Sequence, residues 1–322
     1  MSKLIFQQIN KQVKSANKIL IISHQKPDGD ACGSALALSH FLKSLNKEVA
    51  IFIADPPPVY FGFLPNLENI SNNYDLLKQK WDLVIVVDAG DWAYTQVDPQ
   101  SFKGTPIINI DHHFSNQGFG DINLVDDLAS STCEIIYKFF SEIGWAINRS
   151  TATVLLCGIL NDTGVFSNAA TTIEAMKISS LLISQGAKIY KINNQVVQNK
   201  TINGLRLWGE VLSRLKSDDE LKIAYTYIKE EEYIKYKINE EELDGLINFL
   251  NVISDANITA LFRINKNKTT VSLRTTKDDI DVSKIASAYG GGGHKKAAGF
   301  TLPYVLDERN CDFVSYLKNI IT

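Results

Sequence analysis

The sequence predicts an α/β fold with an N-terminal doubly wound, mainly parallel sheet and a smaller C-terminal α+β domain. The first observation is that short β-branched runs, apolar almost throughout, alternate with helical patterns up to about residue 190. Strands that are buried on both faces of a parallel sheet have this character. The second observation is that strand-like runs beyond residue 216 alternate apolar with polar residues, which is typical of half-exposed antiparallel strands.

Four apolar runs predict the strands of the first sheet: KILIIS (18–23), EVAIFIA (48–54), DLVIVVD (82–88) and PIINID (106–111). The helical patterns between and after them are GSALALSHFLKSLN (33–46), SSTCEIIYKFFSEIG (130–144), STATVLLCGILND (150–162) and TTIEAMKISSLLISQG (171–186). Ser130 or Ser131, together with Glu134, predicts a capping box at the start of the second of these helices. The repeated strand–helix units indicate the doubly wound layer.

These changes of pattern divide the chain into three regions. Residues 1–190 are expected to form the first domain, 191–216 a helical linker and 217–322 the second domain. The second domain has three predicted antiparallel strands, LKIAYTYI (221–228), ITALFRIN (258–265) and TTVSLRTT (269–276). Its predicted helices are NEEELDGLINFLNVI (239–253) and VSKIASAYG (282–290).

The composition argues against several classes of protein. The 322 residues have a formal net charge of −3, so nucleic acid would have to bind through a local basic patch. We find no apolar signal-peptide core and no run near the roughly 18 apolar residues that span a bilayer. Four scattered cysteines, Cys32, Cys133, Cys157 and Cys311, form no CxxC pair, which argues against a disulfide framework or a thiolate zinc site. A cytoplasmic location without membrane association is expected.

Histidine and aspartate side chains follow several of the predicted strands and one later helix. Eight such residues stand at these positions: His24, Asp28, Asp30, Asp88, Asp111, His112, His113 and Asp162. In open α/β sheets, ligands bind at the carboxyl ends of the strands. Separate segments of the chain are therefore expected to place these side chains in one crevice.

Each of these residues also has an ordinary structural explanation. An aspartate after a strand is often a helix N-cap or a turn former, and for Asp88 or Asp162 alone that explanation is at least as good. The occurrence of all these residues together is stronger evidence for a functional site than any one of them. Several carboxylates at one sheet edge would repel one another, and Lys26 is the one basic residue that accompanies them. Divalent cations would offset this charge. Mixed imidazole and carboxylate ligands suit Mn, Fe, Co or Zn, and about six ligands suit a two-metal site.

The sequence resembles the DHH phosphoesterase superfamily over nearly its full length. The motifs that carry the resemblance are SHQKPDGDACGS (23–34), VVDAGD (86–91), the triplet DHH (111–113) and NDTGVFSN (161–168), in the expected order. The segment GGGGHKKAAGF (290–300) resembles the glycine-rich signature of the DHH-associated C-terminal domain. The superfamily includes RecJ-type exonucleases, manganese-dependent pyrophosphatases and nanoRNA/pAp phosphatases, and the C-terminal signature separates this chain from the pyrophosphatases.

The resemblance implies a dinuclear metal centre in the first domain. The implied ligands are His24, Asp28 and Asp88 for one ion and Asp30, Asp88, His112 and Asp162 for the other. Asp88 would bridge the two ions, His113 would contact the scissile phosphate or support the bridging water, and Asp111 would orient the histidines. Two Mn²⁺ ions are expected, with other divalent cations left open.

The glycine-rich segment adds a basic candidate site. A single glycine would be enough to end the preceding helix, whereas four glycines let backbone N–H groups approach an anion closely. Between positions 263 and 296 the chain has eight lysines and arginines against three aspartates. The resemblance implies that this region binds a substrate phosphate, and the candidate residues are Arg263, Arg274, Gly292, Gly293 and His294.

The resemblance predicts a cytoplasmic, exoribonuclease-like phosphodiesterase and phosphatase with its active site in the cleft between the two domains. It would hydrolyse short single-stranded RNA oligonucleotides (nanoRNA) to mononucleotides, and pAp to AMP, through a metal-bridged hydroxide that attacks phosphorus. Two alternatives are left open: a linear or cyclic dinucleotide phosphodiesterase, and a non-catalytic nucleotide or metal sensor. The preference among substrates, the direction of hydrolysis and the formation of a homodimer are left open too.

Overall fold

The computed structural model describes residues 3–196, 200–238, 240–243 and 245–306. The chain divides into two compact units, Met1–Gln198 and Asn199–Thr322, which we call unit 1 and unit 2. The division into domains 1–190 and 217–322 with a linker at 191–216 stays a prediction, and Cys311 lies outside the described residues.

Among the described residues of unit 1, six strands form one sheet in which every neighbouring pair is parallel. They are β1 (Lys18–Ile22), β2 (Glu48–Phe52), β3 (Ile70–Ser71), β4 (Leu83–Val87), β5 (Ile107–Asp111) and β6 (Ile122–Val125). Their order across the sheet is β3-β2-β1-β4-β5-β6. The predicted α/β class with a mainly parallel sheet is confirmed, and the strand order reverses between β1 and β4, as in doubly wound folds.

The central strands are buried on both faces. In β4 the odd-numbered residues face the larger apolar core and the even-numbered residues face a smaller one, and all five are buried. Helices form the larger core, whereas Trp92 and Phe102, on two short 3₁₀ turns, close the smaller one. Burial on both faces is the reason that these strands are apolar without interruption.

The helices described in unit 1 are α1 (Lys3–Ser15), α2 (Gly29–Ser44), α3 (Thr132–Glu142), α4 (Arg149–Asp162), α5 (Ile173–Ser184) and α6 (Ile189–Val196). The four predicted helices are confirmed as α2 to α5. Of the two candidate serines, Ser131 is the N-cap, because its Oγ accepts the N–H of Glu134 at 3.1 Å. The return bond of the predicted capping box goes to the residue before the cap, since Glu134 Oε2 accepts the N–H of Ser130 at 3.0 Å.

The sequence patterns do not predict β3 and β6, which lie at the two edges of the sheet. β3 has two residues, and most residues of β6 are only half-buried. Edge strands pair on one side only and need less apolar surface, so their composition differs little from that of loops.

The second sheet also has six strands among the described residues, in the order β11-β12-β10-β9-β8-β7. The strands are β7 (Lys216–Asp218), β8 (Ile223–Lys229), β9 (Ile258–Ile264), β10 (Thr269–Arg274), β11 (Gly292–His294) and β12 (Ala297–Leu302). The helices of unit 2 are α7 (Ile202–Ser213), α8 (Glu230–Tyr236), α9 (Leu246–Phe249) and α10 (Val282–Ala288). The pattern at 239–253 forms the short helix α9 between two 3₁₀ turns, and positions 239 and 244 lie outside the described residues.

The prediction of antiparallel pairing is wrong for the pair of β8 with β9, which is parallel, whereas β8 also pairs antiparallel with β7 and β9 with β10. The prediction that these two strands are half-exposed is wrong. Their connection contains α8 and α9, and side chains of these helices pack on Ile228 and Leu261 of the two strands. Since helices cover one face and a second apolar core covers the other, β8 and β9 are mostly buried. β10 pairs antiparallel with β9 and alternates in burial as predicted.

In the part of the chain that is described, no helix has both the length and the apolar character that a membrane crossing needs.

Gly33 allows α2 and α4 to pack closely in unit 1. A Cβ atom at this position would lie 2.5 Å from the carbonyl oxygen of Val154 and 2.9 Å from Cys133 Sγ. We expect Gly33→Ala to destabilise the protein by about 1–3 kcal/mol through overpacking, measured as a lower Tm. The control is Gly62→Ala, where an added Cβ meets no atom within 4 Å and Tm should change little. Equal Tm values for the two variants would contradict this account of the packing.

Candidate metal centre

The carboxyl ends of β1 and β4 lie side by side where the strand order reverses. Ser23, directly after β1, donates from Oγ to the carbonyl oxygen of Val87 at 2.9 Å. His24 and Asp88 are the next residues of these two segments, so both leave the sheet at neighbouring positions. Crevices at such reversals are the usual ligand sites of open α/β sheets.

Asp28 and Asp30 belong to the start of α2 but have different environments. Asp28 Oδ1 accepts the backbone N–H groups of Asp30 and Ala31 at 2.9 and 3.0 Å, so Asp28 is also the N-cap that the ordinary explanation proposes. Asp30 is fully buried, and its two oxygens accept the N–H groups of Thr132 and Cys133 at 2.6 and 2.9 Å. These are the first two residues of α3, so the N-terminus of that helix stabilises the Asp30 carboxylate.

Asp88 lies between imidazoles from two other segments. Its backbone is left-handed, with φ 54°, a conformation that aspartate tolerates better than most residues. Its buried carboxylate oxygens lie 3.4 Å from His24 Nε2 and 3.7 Å from His112 Nε2, and Thr132 Oγ1 donates to Oδ1 at 3.2 Å. This position suits a ligand shared by two ions.

Asp111, the last residue of β5, is fully buried and holds two side chains of the following loop. Its Oδ1 accepts from His113 Nδ1 and its Oδ2 from Asn116 Nδ2, both at 2.7 Å. Because a carboxylate only accepts, the hydrogen bond to Asp111 places a proton on His113 Nδ1. Asn116 also donates to the carbonyl oxygen of Ala89 at 3.1 Å, which ties this loop to the residue after Asp88.

Asp162 ends α4, and its Oδ2 lies 3.2 Å from His112 Nε2. The next turn is unusual, because Gly164, Val165 and Phe166 all have left-handed φ values, of 56°, 56° and 64°. For a β-branched residue such as Val165 this conformation costs about 1–3 kcal/mol and persists only where the surrounding structure imposes it. The turn fixes where α4 ends and hence the position of Asp162.

Three sets of potential ligand atoms have all their members within 4.8 Å of one another. The sets are His24, Asp28 and Asp88; Asp30, His112 and Asp162; and Asp88, His112 and His113. All six candidate ligands are therefore brought together with His113, and Asp111 lies behind them.

Burial and mutual repulsion act on the carboxyl groups of this cluster. Burial raises the pKa of Asp30 well above its usual range, and the charges of neighbouring aspartates raise it further. Burial and the same kind of repulsion also raise the pKa of Asp162. For Asp88 burial acts in the same direction, but the hydrogen bond to His24 and the charges of the three histidines outweigh it and lower the pKa.

The three histidines balance part of this negative charge. Burial lowers the pKa of His24, yet the hydrogen bond and charge of Asp88 outweigh it and raise the pKa to about 10. In His113 the bond to Asp111 and the charge of Asp88 likewise outweigh burial and raise the pKa to about 9. Burial lowers the pKa of His112, so this imidazole is neutral at pH 7 and ready to bind a metal. A cation bound at His24 would displace its proton.

The donor atoms fit divalent transition-metal cations. The three sets contain imidazole nitrogens and carboxylate oxygens, a mixture that suits Mn, Fe, Co or Zn better than Mg or Ca. Burial and the charge of Asp30 raise the pKa of the nearby Cys133 thiol, and Cys133 belongs to none of the three sets. Buried like charges in such proximity favour binding of a cation.

In unit 2, candidate phosphate-binding residues share one face of the sheet. Strand β12 lies between β10 and β11 and pairs with both. Arg274 and position 294 have the same partner in β12, and so do Ser272 and Gly292. Arg263 of β9 lies opposite Thr270 of β10, which points to the same face of the sheet as Arg274 because the two are four residues apart on one strand. Since side chains alternate along a strand, Arg263, Arg274 and Gly292 belong to the same face. The side chain of His294 lies outside the described part of the chain.

Arg274 and Arg263 form a cationic pair on this face. Arg274 donates from Nε to Asn248 Oδ1 at 2.8 Å and from a terminal nitrogen to its neighbour's carbonyl oxygen at 2.9 Å. Burial and the charge of Arg263 lower the pKa of Arg274 to about 10, so it stays charged at neutral pH. Within the described ranges, neither arginine has an acidic partner within 4.0 Å, which suits binding of an anion.

Three of the four glycines at 290–293 have a structural reason. Gly290 and Gly293 have φ values of 71° and 139°, and a Cβ at Gly291 would overlap the backbone of Gly299. At Gly292 an added Cβ would meet no atom within 4 Å. The fold therefore does not require glycine at position 292. Close approach of a ligand to the backbone would be a reason for a glycine there.

Sequence reasoning missed two residues that hold the candidate ligands, Thr132 and Asn116. Thr132 donates its N–H to Asp30 and its hydroxyl to Asp88, and Asn116 holds Asp111. The capped start of α3 was visible in the sequence, and its free N–H groups are a signal that an anion binds there. Nothing in the sequence indicates which carboxylate meets them.

Comparison with known proteins places these features in context. Residues 18–159 match the DHH family, N-terminal domain, and residues 220–322 match the DHHA1 domain. The chain is 32% identical to a bifunctional oligoribonuclease and PAP phosphatase NrnA from Thermus thermophilus, covering 88% of this chain and 84% of that protein. It is 30% identical to the protein of the same name from Bacillus subtilis, covering 90% of each. A crystal structure of an exopolyphosphatase-related protein from Bacteroides fragilis has a TM-score of 0.90 at 26% identity, covering 99% of this chain and 96% of that one.

We expect Mn²⁺ to stabilise metal-free protein against heat, because an ion that binds only the folded state contributes about 2.7 kcal/mol at 100 times its Kd. The measurement is Tm after chelation and after addition of Mn²⁺. Asp88→Asn should abolish the increase, and asparagine keeps the left-handed backbone favourable.

The matched control is Asp91→Asn. Asp91 lies three residues after Asp88 and caps the 3₁₀ turn that follows it, because Oδ1 accepts the N–H of Ala93 at 2.8 Å. An asparagine can replace that cap. This variant should keep the Mn²⁺-dependent increase in Tm. An equal increase in wild type and Asp88→Asn would rule out the cluster as the metal site.

Proposed function

This chain belongs to the DHH family, and from that premise we propose that it is a metal-dependent phosphoesterase that hydrolyses short oligoribonucleotides to mononucleotides and pAp to AMP. The observation that carries the proposal is the convergence of His24, Asp88, His112 and Asp162, from four separate segments, on one cluster. The predictions of the family and of the class of enzyme are confirmed by the domain matches and by relatives over most of the chain that are named as oligoribonucleases and PAP phosphatases.

Two Mn²⁺ ions are the cofactor that the donor chemistry favours. The proposed ligands are His24, Asp28 and Asp88 for the first ion and Asp30, Asp88, His112 and Asp162 for the second. When bound, such ions lower the pKa of water and stabilise negative charge on a phosphoryl group. Thr132 supports both positions, because it holds Asp30 through its backbone and Asp88 through its hydroxyl.

His113 is the proposed contact to the scissile phosphate. Asp111 fixes its ring through Nδ1, and Nε2 is the atom that we propose to contact a phosphate oxygen. In the metal-free protein the hydrogen bond to Asp111 and the charge of Asp88 outweigh burial and raise the pKa of His113 to about 9. A positioned hydrogen-bond donor stabilises the charge that develops on phosphate oxygens during hydrolysis. Asp111 and Asn116 act through His113 by holding it in place.

Unit 2 is proposed to bind a further phosphate of the substrate through Arg263, Arg274 and the backbone at Gly292. The support is the pair of guanidinium groups without an acidic partner among the described residues and the open surface at Gly292. Roles for Gly293 and His294 in binding stay predictions, as does an active site in a cleft between domains.

Other expectations from the sequence are untested and stay predictions: a cytoplasmic location, formation of a homodimer, and preference among nanoRNA, pAp and dinucleotides. The alternative of a dinucleotide phosphodiesterase differs from the main proposal in substrate preference only. The alternative of a non-catalytic sensor differs in the absence of turnover.

The direct test is an assay of purified protein with Mn²⁺ on pAp, short RNA, short DNA and cyclic dinucleotides. We expect the highest kcat/KM on short RNA or pAp, and loss of most activity in Asp88→Asn, because a shared ligand of both ions is removed. Asp91→Asn should keep wild-type activity. Highest kcat/KM on a cyclic dinucleotide would favour the dinucleotide phosphodiesterase, and Mn²⁺ binding without turnover of any substrate would favour the sensor.

Gly292→Ala tests the proposed role of unit 2. We expect KM for short RNA to rise severalfold with kcat little changed, because a methyl group would keep a phosphate from the backbone. Gly209→Ala is the control, since an added Cβ there also meets no atom within 4 Å and Gly209 lies in α7. A KM equal to that of wild type would remove Gly292 from the proposed site.

A further inference from the structure

Two exposed aromatic side chains stand on the loops that present the candidate metal ligands. Phe114 directly follows His113 and is 80% exposed, and Tyr94, on the loop after Asp88, is 56% exposed. Neither belongs to an apolar cluster of the described residues. Single exposed apolar residues are common, so the argument depends on where these two lie.

The loop that follows β4 connects both rings to the metal cluster. A Cβ at Gly90 would lie 3.2 Å from His113 Cβ and 2.9 Å from Ser115 Oγ, so this loop packs against the residues on either side of Phe114. At its other end, the carbonyl oxygen of Tyr94 accepts the N–H of Gln25 at 2.8 Å, and Gln25 follows His24. Both aromatic residues therefore stand on backbone that is held against ligand-bearing segments.

The neighbouring Trp92 shows that the exposure of Tyr94 is not general to this loop. Trp92 lies two residues away on the same 3₁₀ turn, is 9% exposed and packs edge-on against Phe102 and Phe119. In contrast, no aromatic ring among the described residues contacts Phe114 or Tyr94. Their faces are open to a planar ligand.

A nucleotide substrate would bring a planar group to this place. In the proposed reaction the scissile phosphate lies at His113, and one sugar separates that phosphate from the adjoining base. Proteins that bind single-stranded RNA regardless of sequence stack the bases on aromatic side chains. Every base has a stackable face, so such a contact suits an enzyme that degrades oligonucleotides of any sequence.

We propose that Phe114 is a stacking site for the nucleobase next to the scissile phosphate, with Tyr94 as a second aromatic surface on the adjacent loop. The proposal rests on the proposed function, because it requires a substrate with a base close to the hydrolysed bond. It assigns Phe114 to binding and orientation of the substrate, with no part in the chemical step.

The test compares hydrolysis of the diribonucleotide ApA with that of two analogues that each lack one of its bases. Phe114→Ala should lower kcat/KM for ApA about 5- to 150-fold, the range measured for loss of one aromatic–base stack. On the analogue that lacks the stacked base, Phe114→Ala and wild type should have nearly the same kcat/KM. That value should be close to the kcat/KM of Phe114→Ala for ApA. Phe114→Trp should retain activity on ApA, whereas Phe114→Leu, apolar but without an aromatic face, should not.

Tyr190→Ala is the matched control. Tyr190 is 75% exposed but lies on α6, which packs against α4 and the 3₁₀ turn Val59–Phe63. Its removal should leave kcat/KM for ApA unchanged, and the Mn²⁺-dependent increase in Tm should persist in all variants. An equal loss on ApA and on both analogues, or no loss in Phe114→Ala, would overturn the stacking site while leaving the proposed function intact. If wild type hydrolysed no oligonucleotide, the proposed function would fail and the stacking site with it.

Discussion

Several carboxylates are buried together at one edge of the sheet in unit 1, and the candidate metal centre depends on how their repulsion is offset. Burial makes each ionised form costly, and the neighbouring negative charges add to that cost. The fold offsets part of it with its own groups. The N-terminus of α3 faces Asp30, and the imidazoles of His24 and His113 lie beside Asp88. Divalent cations are the natural source of the remaining positive charge.

The same constraint accounts for the close packing around the centre. Gly33 of α2 lies against the backbone of Val154, and a Cβ at Gly158 of α4 would lie 2.6 Å from Asp30 Oδ1. Larger residues would push the two helices apart and displace a carboxylate. The left-handed backbone at Asp88 and Val165 belongs to the same picture, because local strain of this kind persists where packing and hydrogen bonds hold functional groups in place.

The two units differ in electrostatic character. Unit 1 gathers aspartates and histidines that attract cations, whereas one face of the sheet of unit 2 carries the half-buried Arg263 and Arg274, which attract anions. In the proposed function, cations would stabilise the reacting phosphoryl group and the two arginines would hold further negative charge of the substrate. Phe114 and Tyr94 would add contact with the uncharged part of a nucleotide.

The sequence by itself determined the class of the fold, the main strands and which residues stand at their ends. Continuous β-branched runs mark strands that are covered on both faces, and the carboxyl ends of parallel strands share one edge, so the gathering of His24, Asp88 and Asp111 could be predicted. Only the tertiary structure decided the parallel pairing of β8 with β9, because that depends on which helices return to cover the sheet. It also decided that Thr132 holds Asp30, 102 residues away in the chain. Such contacts depend on how whole helices pack against each other, and no local pattern of residues encodes that.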